Sequence, residues 1–119
     1  MMQRALVQSL IMLMLLVTIQ SASANERLAR CMAGQGWIMY GSVTCSACRA
    51  QRKAFGEAFT HITEIECNPH IPGNQVERCL ERKIRKTPTW LLEKEGVEIR
   101  RIEGYQLLEY LATLTGCDE

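Results

Sequence analysis

Trp37-Ile-Met-Tyr-Gly-Ser-Val-Thr-Cys-Ser-Ala-Cys48 is the stretch around which the rest of the chain can be organised. Trp37 to Tyr40 is a continuous apolar run, the pattern of a strand covered on both faces. After Cys45 the apolar residues Ala47, Cys48, Phe55, Ala58 and Phe59 recur at helical spacing, so strand gives way to helix at the first cysteine. Two cysteines three apart at a helix start can reach each other within one turn. The first faces unpaired backbone N–H groups and the positive end of the helix dipole, both of which stabilise a thiolate. Because the thiolate is the attacking species, Cys45 is the expected nucleophile and Cys48 the resolving thiol. Zinc sites and static disulfides also use C-x-x-C, so it is the placement between strand and helix that favours redox chemistry.

Downstream, Ile62 to Cys67 reads as a second strand, interrupted by Glu64 and Glu66, and Asn68-Pro-His-Ile-Pro-Gly73 as a loop. Asn74 and Glu77 have capping-box spacing and are expected to open a helix with Val76, Leu80 and Ile84 on one face. Pro88 begins a third strand, Thr89-Trp-Leu-Leu92. The turn Glu93-Lys-Glu-Gly96 leads into a fourth, Val97 to Ile102, making a hairpin. Leu107, Leu108, Leu111 and Leu114 form a closing helix that stops at Gly116. Upstream, Asn25 to Met32 reads as a short helix capped by Asn25 and ended near Gly34. From Trp37 the order is β-α-β-α-β-β-α. A strand–helix–strand unit crosses over right-handed to give a parallel pair, and the hairpin adds antiparallel strands. The expected fold class is α/β, a four-stranded mixed sheet with helices on both faces and an extra N-terminal helix.

The N-terminus has a different character. Arg4 precedes the apolar run Leu10 to Val17, and Ser21-Ala-Ser-Ala24 offers Ala22 and Ala24 at signal-peptidase positions. Residues 1–24 are therefore expected to be an export signal, leaving a single domain over 25–119. The alternative is an uncleaved anchor, but the run is short of the roughly 20 apolar residues that span a bilayer. Loss of Arg4 from 14 basic residues leaves 13 against 13 acidic ones, with no long block of one sign. Nothing in that balance points to nucleic acid as a partner. All six cysteines lie after residue 24, and an even, dense count in a small exported domain implies an oxidising compartment, such as a bacterial periplasm.

Thr87-Pro88 is the second informative feature. A proline opening a central strand gives up a ladder donor. It is either an ordinary trans proline at a strand start or a cis proline that leaves a bare backbone edge beside Cys45, where an extended partner can pair.

Taken together, strand, Cys45-x-x-Cys48, helix, Thr87-Pro88, hairpin, Gly104 and last helix resemble the thioredoxin superfamily over Trp37 to Gly116. A closer likeness is to thioredoxin-like domains fused to, or partnering, bacterial vitamin K epoxide reductase homologues. Those domains share the Glu66-Cys67 step, a later cysteine like Cys79, and Pro88-Thr89-Trp90. The resemblance implies a redox-active pair at Cys45/Cys48, a cis proline at Pro88, protein thiols and disulfides as substrates, and no bound cofactor. The quinone-reducing membrane helices of that family are not in this chain, so such a partner is expected to be a separate protein. Thr44 stands where many thioredoxins have tryptophan, and Ser46-Ala47 replaces the usual intervening pairs. Met39 occupies the place of a buried proton-transfer carboxylate, so the family's proton route and potential do not carry over.

Six cysteines permit 15 pairings. Cys67 and Cys79 bracket a compact loop and are expected to form a structural disulfide, with a second redox pair as the rival reading. Cys31 and Cys117 remain as the third pair by elimination. Two further readings compete: a non-catalytic, disulfide-stapled binding module, and a metal chaperone using Cys45, Cys48 and a histidine. His61 and His70 match no common ligand spacing, so no metal site is expected. Glu81-Arg-Lys-Ile-Arg-Lys86 reads as a solvated helix end, Trp37 and Trp90 as core, and Glu64 and Glu66 as surface residues that could alternatively tune the thiols.

Overall fold

The computed structural model describes residues 2–17 and 22–118. Helix α1 covers Met2–Val17, and α2 covers Ala24–Gln35. Strand β1 is Trp37–Gly41, followed by α3 over Ser46–Phe55 and a 3-10 helix over Gly56–His61. Then come β2 (Thr63–Glu66), α4 (Val76–Glu81), β3 (Thr89–Lys94), β4 (Val97–Glu103) and α5 (Leu108–Thr115). The strands lie in the order β2-β1-β3-β4, with β1 and β2 parallel and the other two pairs antiparallel. No helix among the described residues is long and apolar enough to cross a membrane. Ser21, within the expected cleavage site, lies outside the described residues.

Alternation along β1 builds two cores. Trp37 and Met39 face one side of the sheet and pack with Leu28, Met32, Phe55, Trp90 and Leu111 from α2, α3, β3 and α5. Tyr40 faces the other side with Ile65, Leu91 and Cys79, against α4. Cys31–Cys117 ties α2 to the end of α5, and Cys67–Cys79 ties the end of β2 to α4. Gly36, at φ +104°, ends α2 and lets the chain turn into β1. A Cβ there would lie 2.5 Å from the Glu93 carbonyl oxygen.

Several local expectations are corrected. The cap of α2 is Ser23, whose hydroxyl accepts from Glu26 N, and the helix runs on to Gln35. Asn25 instead donates from its side chain to the carbonyls of Ala54 and Phe55. The capping box at Asn74 and Glu77 does not form. Asn74 Oδ1 accepts from Val76 N, two residues on, and α4 lasts only to Glu81. The covalent tie through Cys79 sets which side of α4 is buried, leaving Leu80 69% exposed and Ile84 beyond the helix. Arg82 is no solvated helix end: with Arg78 it pairs with the buried carboxylate of Glu93, which also accepts from the Tyr40 hydroxyl. Burial alone would raise the Glu93 carboxyl. Its bonds to Arg82, Tyr40 and Arg78 outweigh that and hold it below the ordinary range.

Candidate active site at Cys45 and Cys48

The site is built where β1 ends. Gly41 is the last strand residue, and Ser42, Val43 and Thr44 carry the chain over to α3. That turn is held from below. Glu66 Oε1 accepts from the Ser42 hydroxyl and from Val43 N, both at 3.1 Å. The hydroxyls of Ser42 and Thr44 share a 2.9 Å bond, and Asn68 Nδ2 donates to Thr44 Oγ1. Sequence reasoning passed over Ser42, Thr44 and Asn68, because short polar residues in a turn carry no signal of what they bond.

Cys45 is the N-cap of α3. Its Sγ accepts from Cys48 N at 3.2 Å, and its thiol lies 3.4 Å from the Thr87 carbonyl oxygen, to which it donates. Cys45 is half-buried and Cys48 fully buried, and these are the two cysteines outside disulfides. Partial burial pushes the Cys45 thiol up. Hydrogen bonding from the Cys48 and Thr87 side chains, and from the N–H groups of Cys48 and Ala47, more than offsets this and leaves it below the ordinary thiol value. Burial, with Cys45 beside it, pushes the Cys48 thiol up to about 12. The two thiols are thus set apart electrostatically: one ionises readily and reaches solvent, the other does neither.

Thr87 and Pro88 lie against this pair through the Thr87 carbonyl, and the peptide bond joining them is cis. Pro88 O accepts from Gly104 N at 2.7 Å, anchoring the end of β4 beneath. The other candidate residues lie elsewhere or play other parts. His61 Nε2 is 3.4 Å from Glu26, and the backbone N–H of His70 donates to Asn68 Oδ1. Glu64 and Glu66 are not surface residues: each is partly buried, and both are on the α3 side of β2, opposite to Ile65.

The split in thiol properties has a direct readout. In the reduced protein, Cys45 should react with iodoacetamide at a rate that rises and levels off at a pH below the ordinary thiol range. Cys48 should stay unmodified until the solution approaches pH 12. Mass spectrometry of digests taken along a pH series checks this, and comparable modification of both cysteines near neutrality contradicts it.

No protein-family model matches the sequence. Among solved structures, the chain is similar to thioredoxin from Malassezia sympodialis, at a TM-score of 0.51 and 18% identity over 70% of this chain and 74% of that one. It is also similar to oxidised thioredoxin O2 from Arabidopsis thaliana, at a TM-score of 0.50 and 17% identity over 77% of this chain and 83% of that one. A likeness at such identities speaks for architecture, and the architecture of this chain is the thioredoxin fold.

Proposed function

We propose that this chain is a thiol–disulfide oxidoreductase that exchanges disulfides with protein substrates through Cys45 and Cys48. The observation that carries the reading is the N-cap position of a half-exposed Cys45, bonded to Cys48 N and lying on the Thr87 carbonyl, with a buried second thiol behind it. The Cys45 thiolate attacks a substrate disulfide. An S–S bond forms between Cys45 and one substrate sulfur, and the other leaves as a thiolate that takes a proton from water. Cys48 then loses its proton and attacks Cys45 Sγ. The second substrate sulfur departs as a thiol, and a Cys45–Cys48 disulfide is left. Two electrons pass from protein to substrate, and the same steps reversed pass a disulfide to a substrate dithiol. Thr87 and Pro88 would hold the substrate segment by backbone pairing along the edge beside Cys45.

The setting belongs to the same proposal. Residues 1–24 direct export and 25–119 work outside the cytoplasm, in a bacterial periplasm. Two disulfides distinct from the active pair are consistent with that compartment. Electrons are exchanged with a separate membrane protein of the vitamin K epoxide reductase type, as the resemblance at Glu66-Cys67, Cys79 and Pro88-Thr89-Trp90 implies. Trapping tests the core of the reading. Cys48→Ser should accumulate mixed disulfides with client proteins, because the intermediate on Cys45 can no longer be resolved. Cys45→Ser should accumulate few. Equal adducts on both variants would assign the roles wrongly, and none on either would remove the oxidoreductase reading.

A further inference from the structure

The four residues that lead from β1 into Cys45, Gly41 to Thr44, are each held by one tripeptide, Glu66-Cys67-Asn68. Cys67 N donates to the Gly41 carbonyl at 2.8 Å. Glu66 Oε1 takes the Ser42 hydroxyl and Val43 N, and Asn68 Nδ2 donates to Thr44 Oγ1 at 3.1 Å. The Asn68 amide is fixed at its other end too, where Oδ1 accepts from His70 N at 2.9 Å. Glu66 keeps its place at a cost. Its Oε2 is buried and has no partner among the described residues, and a buried, unpaired acceptor opposes folding. Stability therefore does not account for Glu66, whereas what its other oxygen holds does.

The tripeptide is itself tied down. Cys67 is bridged to Cys79, which is buried in the second core with Tyr40, Ile65 and Leu91, and the Glu66 carbonyl accepts from Gln75 N at 2.8 Å. What the turn delivers is Cys45. Cys45 N donates to the Ser42 carbonyl at 3.2 Å, and the extended backbone of Cys45 (φ −88°, ψ 122°) aims Sγ at Cys48 N. The N–H groups of Ala47 and Cys48 serve the thiolate only while Cys45 stays at the N-cap. The Ser42 backbone also bonds the Cys48 thiol and draws it down against burial, so one turn serves both sulfurs. The charged or titratable side chains around this turn are Glu66 from β2 and Cys48 and Arg49 from α3, with Arg49 Nη1 donating to the Val43 carbonyl at 3.2 Å. Arg52 and Glu64 pair with each other, and Lys86, just ahead of Thr87, lies over Gly104.

We propose that Glu66 and Asn68 are positioning residues for Cys45, and that the Cys67–Cys79 bridge, by tethering the residue between them, fixes the turn from which Cys45 is presented for attack. The inference rests on the proposed exchange at Cys45 and Cys48. It gives the bridge a part in reactivity as well as in stability. Without the brace, residues 42–44 keep only their bonds to one another and to Arg49, and Cys45 spends less time with its sulfur on the N–H groups of Ala47 and Cys48. Its thiol then moves up towards the ordinary value. The direction is informative, because removing the negative charge of Glu66 would by itself move a neighbouring thiol down.

The test follows Cys45 alkylation by iodoacetamide across a pH series, with only Cys45 and Cys48 reduced. Glu66→Ala, with both bridges intact, and Cys67→Ala/Cys79→Ala should each move the midpoint up. At the pH where the unaltered chain has just levelled off, their rates should be lower by at least about threefold. At alkaline pH they should be no slower than the unaltered chain, because a more basic thiolate is the better nucleophile. Asn68→Ala should shift the midpoint the same way by less, and with Glu66→Ala it carries the test should the chain without the bridge fail to fold. Glu66→Ala added to Cys67→Ala/Cys79→Ala should shift the profile little further, since both act on one turn. Removing Cys31–Cys117, which closes the longer loop, should leave the profile in place. A midpoint in Glu66→Ala that is unmoved or lowered, a rate reduced by one factor at every pH, shifts that add in full, or an equal shift on losing Cys31–Cys117 overturns the proposal. Failure of the exchange reading looks different: the unaltered chain, mixed with 5,5′-dithiobis(2-nitrobenzoate), then releases one nitrothiobenzoate from Cys45 and no second from attack by Cys48.

Discussion

Replacing Cys31 and Cys117 together by alanine is expected to lower the unfolding free energy by about 4.5 kcal/mol, because the bridge closes a loop with a sequence separation of 86. In the chain-entropy account the loss arises in the unfolded state, whose ends are set free. The folded state keeps a second tie at the same place, since Gln35 Nε2 donates to Thr115 O at 2.9 Å. The fold should therefore persist with a much lower urea midpoint. Removing Cys67 and Cys79, separated by 12 residues, is expected to cost about 3 kcal/mol. Urea titrations followed by circular dichroism compare the two. A smaller loss for the long loop than for the short one contradicts the assignment of Cys31–Cys117 as the main covalent staple.

Trp90→Ala is expected to cost about 3–5 kcal/mol, the usual range for emptying a large aromatic site in a core. Trp90 is fully buried, its ring centroid lies 5.9 Å from that of Phe55, and its indole N–H donates to Gln51 Oε1. Gln51, itself buried, spans to the loop ahead of α5 by accepting from Gln106 N and donating to Gln106 O. The substitution therefore opens a cavity beneath α3 and leaves Gln51 short of a partner on the same helix that starts at Cys45. Global stability should fall, and the Cys45 thiol should also lose part of its enhanced reactivity as α3 loosens. Urea denaturation and iodoacetamide kinetics on the same preparation read both. A loss below about 1 kcal/mol would show that Trp90 does not bridge the sheet and α3 as described.

The elements that could be read in advance share one property: their signal is local. The apolar run at Trp37, the helical spacing after Cys45 and the turn at Glu93 to Gly96 each declare themselves within a few residues. The four-stranded mixed sheet with a parallel first pair follows from these elements and the handedness of the crossover, and the thioredoxin fold from the resemblance they carry; the order of the strands is a finding of the structure. Helix α4 was misjudged because its register comes from a covalent bond between Cys67 and Cys79, which overrides the apolar spacing of Val76, Leu80 and Ile84. The start of α2 was misjudged because Ser23 and Asn25 are both good caps, and long-range bonds from Asn25 to Ala54 and Phe55 take it out of that role. Around the site, the thiols could be singled out from their spacing together with their place between strand and helix, whereas Glu64 and Glu66 read first as surface residues. Alternation with Ile65 places the two glutamates on one face of β2, but only the parallel register with Met39 and Gly41 shows which helix covers that face.

The measurement that bears most directly on the central claim is the thiol state of each cysteine across a graded series of dithiothreitol redox buffers, with cysteines blocked and mapped by mass spectrometry. Cys45 and Cys48 should convert together between two free thiols and one Cys45–Cys48 disulfide in a single two-electron transition. Cys31–Cys117 and Cys67–Cys79 should stay oxidised throughout that transition. Cys45 and Cys48 that never join in a disulfide at any ratio, or that join only in step with opening of Cys67–Cys79, would contradict the account.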